Sequence, residues 1–429
     1  MNSESEKTIP AGGRVPLGKI LGPGLITGAS DDDPSGIATY SQAGAQFGYG
    51  LTWTLLFTYP LMAAIQEISA RIGRVTGRGI AGNIRRYYPR PLLFSLVGLV
   101  LVANVINLGA DLGAMGAGVK LLVGGPAFVY IAAFGVASVL LEVFMRYSRY
   151  VSVLKWLSLS LLAYAATAFI VHVPWSTVAL NTFLPHIVWK PDYFITIVAV
   201  FGTTISPYLF FWQAETEVED QQDKPGAEPL TEAPEQAREE IRRIEIDTYF
   251  GMGISNLVAL FIVVTTAATL NVHGITDIQT SADAAKALRP LAGDFAFAIF
   301  AAGIIGTGLL ALPVLAGSAA YALGEALAWP VGLARLWFQA RAFYATIAIA
   351  TAIGVVMNYL PIDPMKMLFW SAVINGVAAV PIMAMMMLLG TRTKVMGRFT
   401  LPPALRWMGW IATAVMAAAA LAMMGSLLI

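Results

Sequence analysis

The stretch ASDDDPSGIATY (residues 29–40) places three consecutive aspartates and a proline inside a segment that is otherwise apolar enough to cross a membrane. Charged side chains in the hydrocarbon core are costly unless they face a partner or a water-filled cavity. Proline also removes a backbone donor and clashes with the preceding helical turn. The stretch therefore predicts a spanning helix that is interrupted halfway, with its carboxylates turned towards a cavity.

Composition places the whole chain in the membrane class. Of its 429 residues, 57% are apolar and 12% are charged, and the mean hydropathy is +0.69. A spanning helix needs about 20 mostly apolar residues, and about eleven segments of that kind fit into the chain. The predicted spans 1 to 11 cover residues 17–48, 49–75, 91–119, 126–145, 148–172, 193–219, 248–270, 292–326, 342–361, 366–389 and 407–428.

Lysine and arginine are distributed unevenly between the two sides that alternating loops define. With the N-terminus inside, 22 of the 27 Lys and Arg residues fall in cytoplasmic segments and 5 fall outside. Cytoplasmic loops of membrane proteins carry such an excess. We therefore expect a multi-pass protein of the inner (plasma) cell membrane, with a cytoplasmic N-terminal tail (residues 1–16) and an external C-terminus.

A second interrupted segment, VAVFGTTISPYLFFWQAETEVED (residues 198–220), has Pro207 beside glycine, threonine and serine. At about 1.5 Å per residue, Ser206 and Asp33 each lie about 20 Å into their spans, at mid-membrane. Span 1 runs outward and span 6 inward, so the breaks occupy equivalent places in two halves of opposite orientation. The pattern predicts a transporter that holds its substrate between discontinuous helices. Its parts would be a first inverted repeat (17–172, helices 1 to 5), a second (193–389, helices 6 to 10) and one extra helix (407–428).

Helix capping accounts for only one of the three aspartates. Asp is a good N-cap, and Pro34 suits the first helical position of the half-helix that follows. Three carboxylates at this depth favour a bound cation. We expect Asp33, directly before the proline, to be the ligand, and Asp31 and Asp32 to line the vestibule or to hold outer-shell water.

Other functional classes find little support in the sequence. The chain has no Cys residue, which excludes thiolate metal sites and iron–sulfur ligation. No nucleophile elbow, His-Glu-x-x-His zinc motif or phosphate-binding loop is found. We expect no enzyme activity, no cofactor and no nucleic-acid partner. A sodium-coupled transporter of small solutes such as amino acids is an alternative, although the aspartates would repel an anionic substrate.

The segments GPGLITGASDDDPSGIATYSQAGAQFGYGLTW (residues 22–53) and ISARIGRVTGRGIA (68–81) resemble the first two spans of the Nramp (natural-resistance-associated macrophage protein) divalent-metal transporters. AGSAAYALGEAL (316–327) in span 8 is similar to that family as well. The resemblance implies an all-α polytopic protein of the LeuT-type fold, with 11 transmembrane helices and broken helices 1 and 6. It also implies transport of a divalent metal cation across the lipid bilayer by alternating access. We expect a monomer.

The family's metal ligands fall on four positions of this chain. Asp33 keeps the family's aspartate, whereas Gly36 stands in place of an asparagine and Ser206 in place of a methionine. A backbone carbonyl would come from Thr203. An all-oxygen site suits Mg²⁺, Ca²⁺ and Mn²⁺ better than softer metals, and the small residues would leave room for retained water. We expect Mg²⁺ to be the substrate, with Mn²⁺ tolerated, as in the Nramp-related magnesium transporter branch.

Further polar residues are expected in the vestibule or around the water shell of the ion. They are Asp31, Asp32, Ser35, Asp111, Tyr208 and Gln213, with Asn375 as a weaker candidate. Glu215, Glu217 and Glu219 follow the break in span 6 by two to three turns. They would either line an exit vestibule that attracts cations or form a solvated helix end.

The resemblance also bears on what drives the ion. The family's proton route uses an Asp and a Glu in span 3, a His after the span 6 proline and Arg residues in span 9. Here Asp111 is kept, but Ala114 and Tyr208 replace the Glu and the His, and residues 342–360 contain no Asp, Glu, His, Lys or Arg. We expect a uniporter driven by the membrane potential, worth about 4.6 kcal/mol for two charges at 100 mV. A proton-coupled Mn²⁺/Fe²⁺ transporter is the alternative, and Asp111 could instead be a hydrogen-bonded polar residue between helices.

Overall fold

A computed structural model describes residues 23–144 and 159–428. The predicted tail (1–16), the first residues of span 1 and the start of span 5 lie outside the described residues. Within them, helices follow all eleven predicted segments. The helices are Pro23–Asp31 and Pro34–Phe47 (span 1), Thr52–Thr76 (span 2), Arg90–Val123 (span 3), Ala127–Phe144 (span 4), Leu162–Ile170 (span 5), Pro191–Thr204 and Pro207–Asp223 (span 6), Ala237–Thr269 (span 7), Ala296–Leu327 (span 8), Arg341–Met357 (span 9), Pro364–Gly390 (span 10) and Pro403–Ser426 (span 11). Shorter helices, Ile80–Tyr87, Trp175–Phe183, Ser281–Ala285, Arg289–Ala292 and Thr393–Met396, lie between spans.

Length and hydropathy agree with a protein that crosses the membrane many times. In the described part of the chain, seven helices are long and apolar enough to span a bilayer, and the two halves of span 6 count together as one of them. Span 9 is a shorter apolar helix of 17 residues. The chain is a multi-pass membrane protein.

Both predicted helix breaks are confirmed, and proline sets each of them. Asp33 has extended backbone angles (φ −71°, ψ 171°) and caps the half-helix that begins at Pro34. Ser206 is also extended (φ −85°, ψ 130°) and precedes the half-helix that begins at Pro207. A residue before proline is pushed out of the helical region, so the chain stops and restarts its helix at these two points.

The packing of the spans is reciprocal. Span 1 packs along span 7, and span 6 packs along span 2. Spans 3 and 8 pack against each other, and so do spans 4 and 9. Exchanging the two halves of the protein exchanges these contacts, which is the arrangement that two inverted repeats of five helices produce.

Glycines allow the broken spans to approach their neighbours closely. A Cβ atom built on Gly28 in span 1 would lie 2.4 Å from the carbonyl carbon of Gly251 in span 7. One built on Gly202 in span 6 would lie 2.0 Å from the carbonyl oxygen of Ala372 in span 10. Small residues at such crossings are typical of membrane helices, and they hold the two breaks at the centre of the bundle.

The acids after the break in span 6 are neither a solvated helix end nor an open vestibule. Glu217 has no exposed side-chain surface and binds Arg243 through both guanidinium NH groups. Glu219 accepts hydrogen bonds from the Tyr321 hydroxyl (2.5 Å) and the Leu333 backbone N–H (2.6 Å). Glu215 is buried as well. Partners from spans 7 and 8 and the loop that follows span 8 surround these acids, which is why the sequence prediction for them was wrong.

Span 7 also differs from its prediction. Its helix begins at Ala237 instead of residue 248, because the charged first turns continue the apolar helix without a stop. Their charges are paired: Arg243 contacts Glu240 at 3.0 Å in addition to Glu217. A hydropathy window detects the part of a helix that suits lipid and misses such a paired extension.

Candidate cation-binding site

The carboxylate of Asp33 is held at the break in span 1 by four donors. Its Oδ1 accepts hydrogen bonds from the backbone N–H of Gly36 (2.7 Å) and the Ser35 hydroxyl (2.8 Å). Its Oδ2 accepts from the Asn107 amide (2.9 Å) and lies 3.3 Å from the Tyr208 hydroxyl. The residue is only 1% exposed. Hydrogen bonds to an ionised group are among the strong ones, so the side chain is fixed in one orientation.

The break in span 1 also frees a backbone carbonyl. Pro34 has no N–H to offer to the carbonyl of Ser30, four residues earlier. The Tyr208 hydroxyl from span 6 lies 3.1 Å from this oxygen. Because a hydroxyl has one hydrogen, Tyr208 donates to either Ser30 or Asp33 at any moment, and it connects the two breaks in both cases.

The break in span 6 frees the carbonyl of Thr203 in the same way, because Pro207 has no N–H. The Ser206 hydroxyl lies 2.9 Å from this carbonyl oxygen and 2.8 Å from that of Gly202. The side-chain hydroxyl of Thr203 is buried without a hydrogen-bond partner among the described residues. Thr203 thus brings two oxygens to the break, and Ser206 turns its hydrogen back onto its own helix.

Gly36 and Thr203 lie next to each other across spans 1 and 6. A Cβ atom at Gly36 would lie 3.2 Å from the Thr203 hydroxyl and 3.4 Å from the ring of Tyr40. The Thr203 hydroxyl and the Tyr40 ring are therefore close neighbours of Gly36 in this conformation.

Asp31 and Asp32 face span 7. The Ser255 hydroxyl of that span lies 2.6 Å from Oδ2 of Asp31 and 3.1 Å from Oδ1 of Asp32. The other oxygen of Asp31 is buried with no hydrogen-bond partner in the described parts of the chain. Asp32 is 6% exposed. The two acids therefore lie beside Asp33 in sequence but on a different helix interface.

Asp111 and Gln213 lie around the site without a hydrogen bond to Asp33. Asp111 is fully buried in span 3, and its carboxylate interacts with the backbone N–H of Ser35 in span 1. Both interpretations of Asp111, a proton carrier and a hydrogen-bonded polar residue between helices, stay predictions. The Gln213 side chain packs against span 2, where its oxygen lies 3.4 Å from the Gln66 amide.

Two polar residues of the site, Asn107 and Ser371, were not predicted from the sequence. Asn107 in span 3 contacts Asp33, and its own oxygen accepts from the Ser371 hydroxyl of span 10 at 2.8 Å. Asn375, one turn beyond Ser371, places its amide 3.5 Å from the same oxygen. The available signal was an asparagine in an apolar span, one turn before Asp111. Its partners in span 10 could not be identified without the fold.

The donor set consists of one carboxylate and neutral oxygens. Among the described residues, no group of three or more His, Asp or Glu side chains is arranged to hold a metal ion. The three histidines, His172, His186 and His273, are exposed and lie outside the spans. The chemistry at the breaks therefore suits a hard cation that keeps part of its water shell.

The two ends of the bundle differ in access to the breaks. A cavity of about 520 Å³ lies at the end that carries the loop between spans 7 and 8, and it extends to Ala38, one turn beyond Pro34. Asp192, Asp277 and Lys366 are the charged residues of its lining. At the opposite end, Glu217 and Arg243 form a buried ion pair.

Comparison with known proteins gives consistent matches over most of the chain. A family model described as natural resistance-associated macrophage protein-like matches residues 24–426. The divalent metal cation transporter MntH of Klebsiella pneumoniae is 26% identical over 401 residues, which cover 92% of this chain and 91% of that protein. MntH of Yersinia pestis is 29% identical over 308 residues, covering 69% and 71%.

Solved structures share the fold. A crystal structure of the Eremococcus coleocola manganese transporter superposes with a TM-score of 0.75 at 16% identity, covering 96% of this chain and 88% of that one. MhsT in complex with L-phenylalanine gives a TM-score of 0.59 at 14% identity, covering 95% and 99%. The LeuT-type fold predicted for this chain, all-helical with broken spans 1 and 6, is thereby confirmed.

Proposed function

The chain belongs to the natural resistance-associated macrophage protein-like (Nramp) family, and on that premise we propose that it transports divalent metal cations across the inner (plasma) membrane. It is not an enzyme. The observation that carries the proposal is the Asp33 carboxylate, held by four donors at the point where spans 1 and 6 are both unwound. Its curated relatives are named divalent metal cation transporters.

The ions that we propose are Mg²⁺ first and Mn²⁺ second. The candidate ligands are Asp33, the carbonyl of Thr203 and the hydroxyl of Ser206. Gly36 has no side-chain donor, so a water molecule would take the place of a ligand there. Every ligand, from the protein or from water, is then an oxygen atom, and an all-oxygen site favours a hard cation. Because the Thr203 hydroxyl lies close beside Gly36, we propose that spans 1 and 6 separate slightly when a hydrated ion binds.

We further propose that the transport is driven by the membrane potential without a coupled proton. Tyr208 occupies the position after the span 6 proline, and span 9 contains no acidic or basic residue after Arg341. The exposed histidines provide no proton carrier near Asp33. The fully buried carboxylate of Asp111 favours the proton-coupled Mn²⁺/Fe²⁺ alternative, and the Asp111→Asn variant tests it.

The orientation of the protein follows from its charges. We propose a cytoplasmic N-terminus and an external C-terminus, because 22 of the 27 Lys and Arg residues then lie on the cytoplasmic side. The cavity that extends to Ala38 would then open outward. The Glu217–Arg243 pair would close the cytoplasmic side.

A competition experiment in reconstituted vesicles tests the proposed ion preference. Uptake of Mn²⁺ is followed with an internal dye while Mg²⁺ or Ca²⁺ is added outside. We expect Mn²⁺ uptake above that of empty vesicles and inhibition by Mg²⁺ at comparable concentrations. Mn²⁺ uptake that a large excess of Mg²⁺ does not reduce would contradict the preference for Mg²⁺. Uptake of an amino acid without any metal flux would contradict the function itself.

A further inference from the structure

The side chain of Asn107 connects the candidate ligand of span 1 to span 10. Its Nδ2 donates to Oδ2 of Asp33 at 2.9 Å, and its Oδ1 accepts from Ser371 at 2.8 Å. Both Asn107 and Ser371 are almost completely buried. The carboxamide of Asn107 in span 3 thus lies between Asp33 in span 1 and Ser371 in span 10.

The orientation of this amide depends on the charge of what it faces. A carboxylate can only accept hydrogen bonds, so the NH₂ end of Asn107 points to Asp33 when no cation is bound. A dication on Asp33 reverses the local electrostatics, because it repels the partly positive N–H groups and attracts a carbonyl oxygen. Rotation of the amide by about half a turn would exchange the two ends at nearly the same positions.

The surroundings of Asn107 can satisfy the reversed amide as well. The Ser371 hydroxyl also lies 2.7 Å from the carbonyl oxygen of Leu368, so it can donate there and accept from Asn107. Asn375 has a buried Oδ1 with no hydrogen-bond partner in the described chain, and its amide lies 3.5 Å from Asn107. If the Asn375 amide reverses too, its Oδ1 can accept a hydrogen bond from the NH₂ group of Asn107. In the reversed orientation, the NH₂ group of Asn107 therefore faces two groups that can accept a hydrogen bond from it.

We propose that Asn107 is a direct ligand of the transported dication and supplies its amide oxygen from span 3 by this reversal. The inference rests on the proposed function and adds one ligand to it. It also links cation binding to span 10, because Ser371 and Asn375 exchange their hydrogen bonds when the Asn107 amide turns.

Two variants test the ligand role in the vesicle assay for Mn²⁺ and Mg²⁺ uptake. Asn107→Ala removes the oxygen, and we expect the KM to rise about 10- to 100-fold, the range typical of groups that support a bound metal. The double variant Asp33→Asn with Asn107→Asp exchanges the carboxylate and the amide between two groups that face one ion. We expect it to restore uptake that Asp33→Asn alone has lost.

Asn104→Ala is the matched control. Asn104 is one turn earlier on the same helix and equally buried, but its amide donates to Leu315 and Ser318 of span 8. The Asn104→Ala variant measures the effect of losing a buried amide that does not contact Asp33. The KM of this variant should stay within about twofold of the wild type.

The outcomes separate this inference from the proposed function. If wild-type vesicles take up neither ion, the proposed function fails. If the wild type is active, the ligand role is overturned by an Asn107→Ala KM within about twofold of the wild type, or by a folded exchange variant that is as inactive as Asp33→Asn. Thermal unfolding identifies the folded variants. If the exchange variant does not fold, Asn107→Asp decides, because it keeps an oxygen for the ion and removes the N–H donor to Asp33. Loss of uptake in a folded Asn107→Asp variant would overturn the ligand role.

Discussion

The hydroxyl of Tyr208 in span 6 lies 3.1 Å from the carbonyl oxygen of Ser30 in span 1. This carbonyl has no helical partner because Pro34 lacks an N–H. The carbonyl group that the break in span 1 leaves free thus accepts a hydrogen bond from Tyr208, in the first turn of the second half-helix of span 6. The same hydroxyl lies within reach of Asp33, so the backbone of the break and the candidate ligand share one donor.

Tyr208→Phe removes this donor without changing the size of the ring. We expect the free energy of unfolding to fall by about 1–3 kcal/mol, since a buried carbonyl is left unsatisfied. Three other donors keep Asp33 in place, so cation uptake should persist. Thermal unfolding and the rate of Mn²⁺ uptake measure both effects. Loss of uptake in the folded variant would show that the Tyr208 hydroxyl is needed at the site.

Uncoupled transport predicts that no protons accompany the metal. Vesicles loaded with a pH dye, with the potential clamped inside-negative, should show Mn²⁺ or Mg²⁺ influx without internal acidification. The rate of influx should increase with the potential, because two charges gain about 4.6 kcal/mol per 100 mV. Proton influx that follows the metal, and that is lost in Asp111→Asn, would establish the coupled alternative.

The Glu217–Arg243 pair predicts an effect on stability away from the cation site. Glu217 has no exposed side-chain surface, and Arg243 is 13% exposed. Removing one partner leaves a buried charge unpaired, so Arg243→Ala should lower the free energy of unfolding by about 3–5 kcal/mol. The double variant Glu217→Gln with Arg243→Met should recover most of that loss in thermal unfolding.

Glu239→Ala is the control for this pair. Glu239 is exposed and lies one turn before Arg243 on the same helix, at the i, i+4 spacing of a helix-surface charge pair. Its replacement should change the free energy of unfolding by less than about 0.5 kcal/mol. Equal losses from Glu239→Ala and Arg243→Ala would contradict the pairing.

Close helix contact predicts that Gly202 tolerates no side chain. A Cβ atom there would lie 2.0 Å from the carbonyl oxygen of Ala372, which belongs to the backbone and cannot move aside alone. Gly202→Ala should therefore separate spans 6 and 10, lower the unfolding temperature and abolish uptake. Gly98→Ala in span 3 is the control, because nothing lies within 4 Å of its Cβ position. The latter should be neutral or slightly stabilising. Equal behaviour of the two variants would refute the contact.

The breaks could be predicted from the sequence because their cause is local. Pro34 and Pro207 act on the four residues before them, and Asp33 caps the turn that follows it. The depth of both breaks followed from the rise per residue of a helix. The reciprocal arrangement of the two halves then followed from the opposite directions of spans 1 and 6.

The partners of the polar residues could not be predicted, because they come from distant parts of the chain. Glu217 pairs with a residue of span 7, and Asn107 contacts span 10 more than 260 residues away. Gly36 is a similar case, since its neighbour Thr203 comes from span 6. A single sequence shows which residues are polar in a span and not which helix they face.

The central claim is that the charge of Asp33 binds the transported dication, and Asp33→Asn tests it most directly. Asparagine is as good an N-cap as aspartate, so the half-helix from Pro34 should still form and the variant should unfold near the wild-type temperature. We predict that vesicles containing this variant show no Mn²⁺ or Mg²⁺ uptake above empty vesicles, while the wild type shows both. Wild-type rates of metal uptake by the folded Asp33→Asn variant would contradict the account.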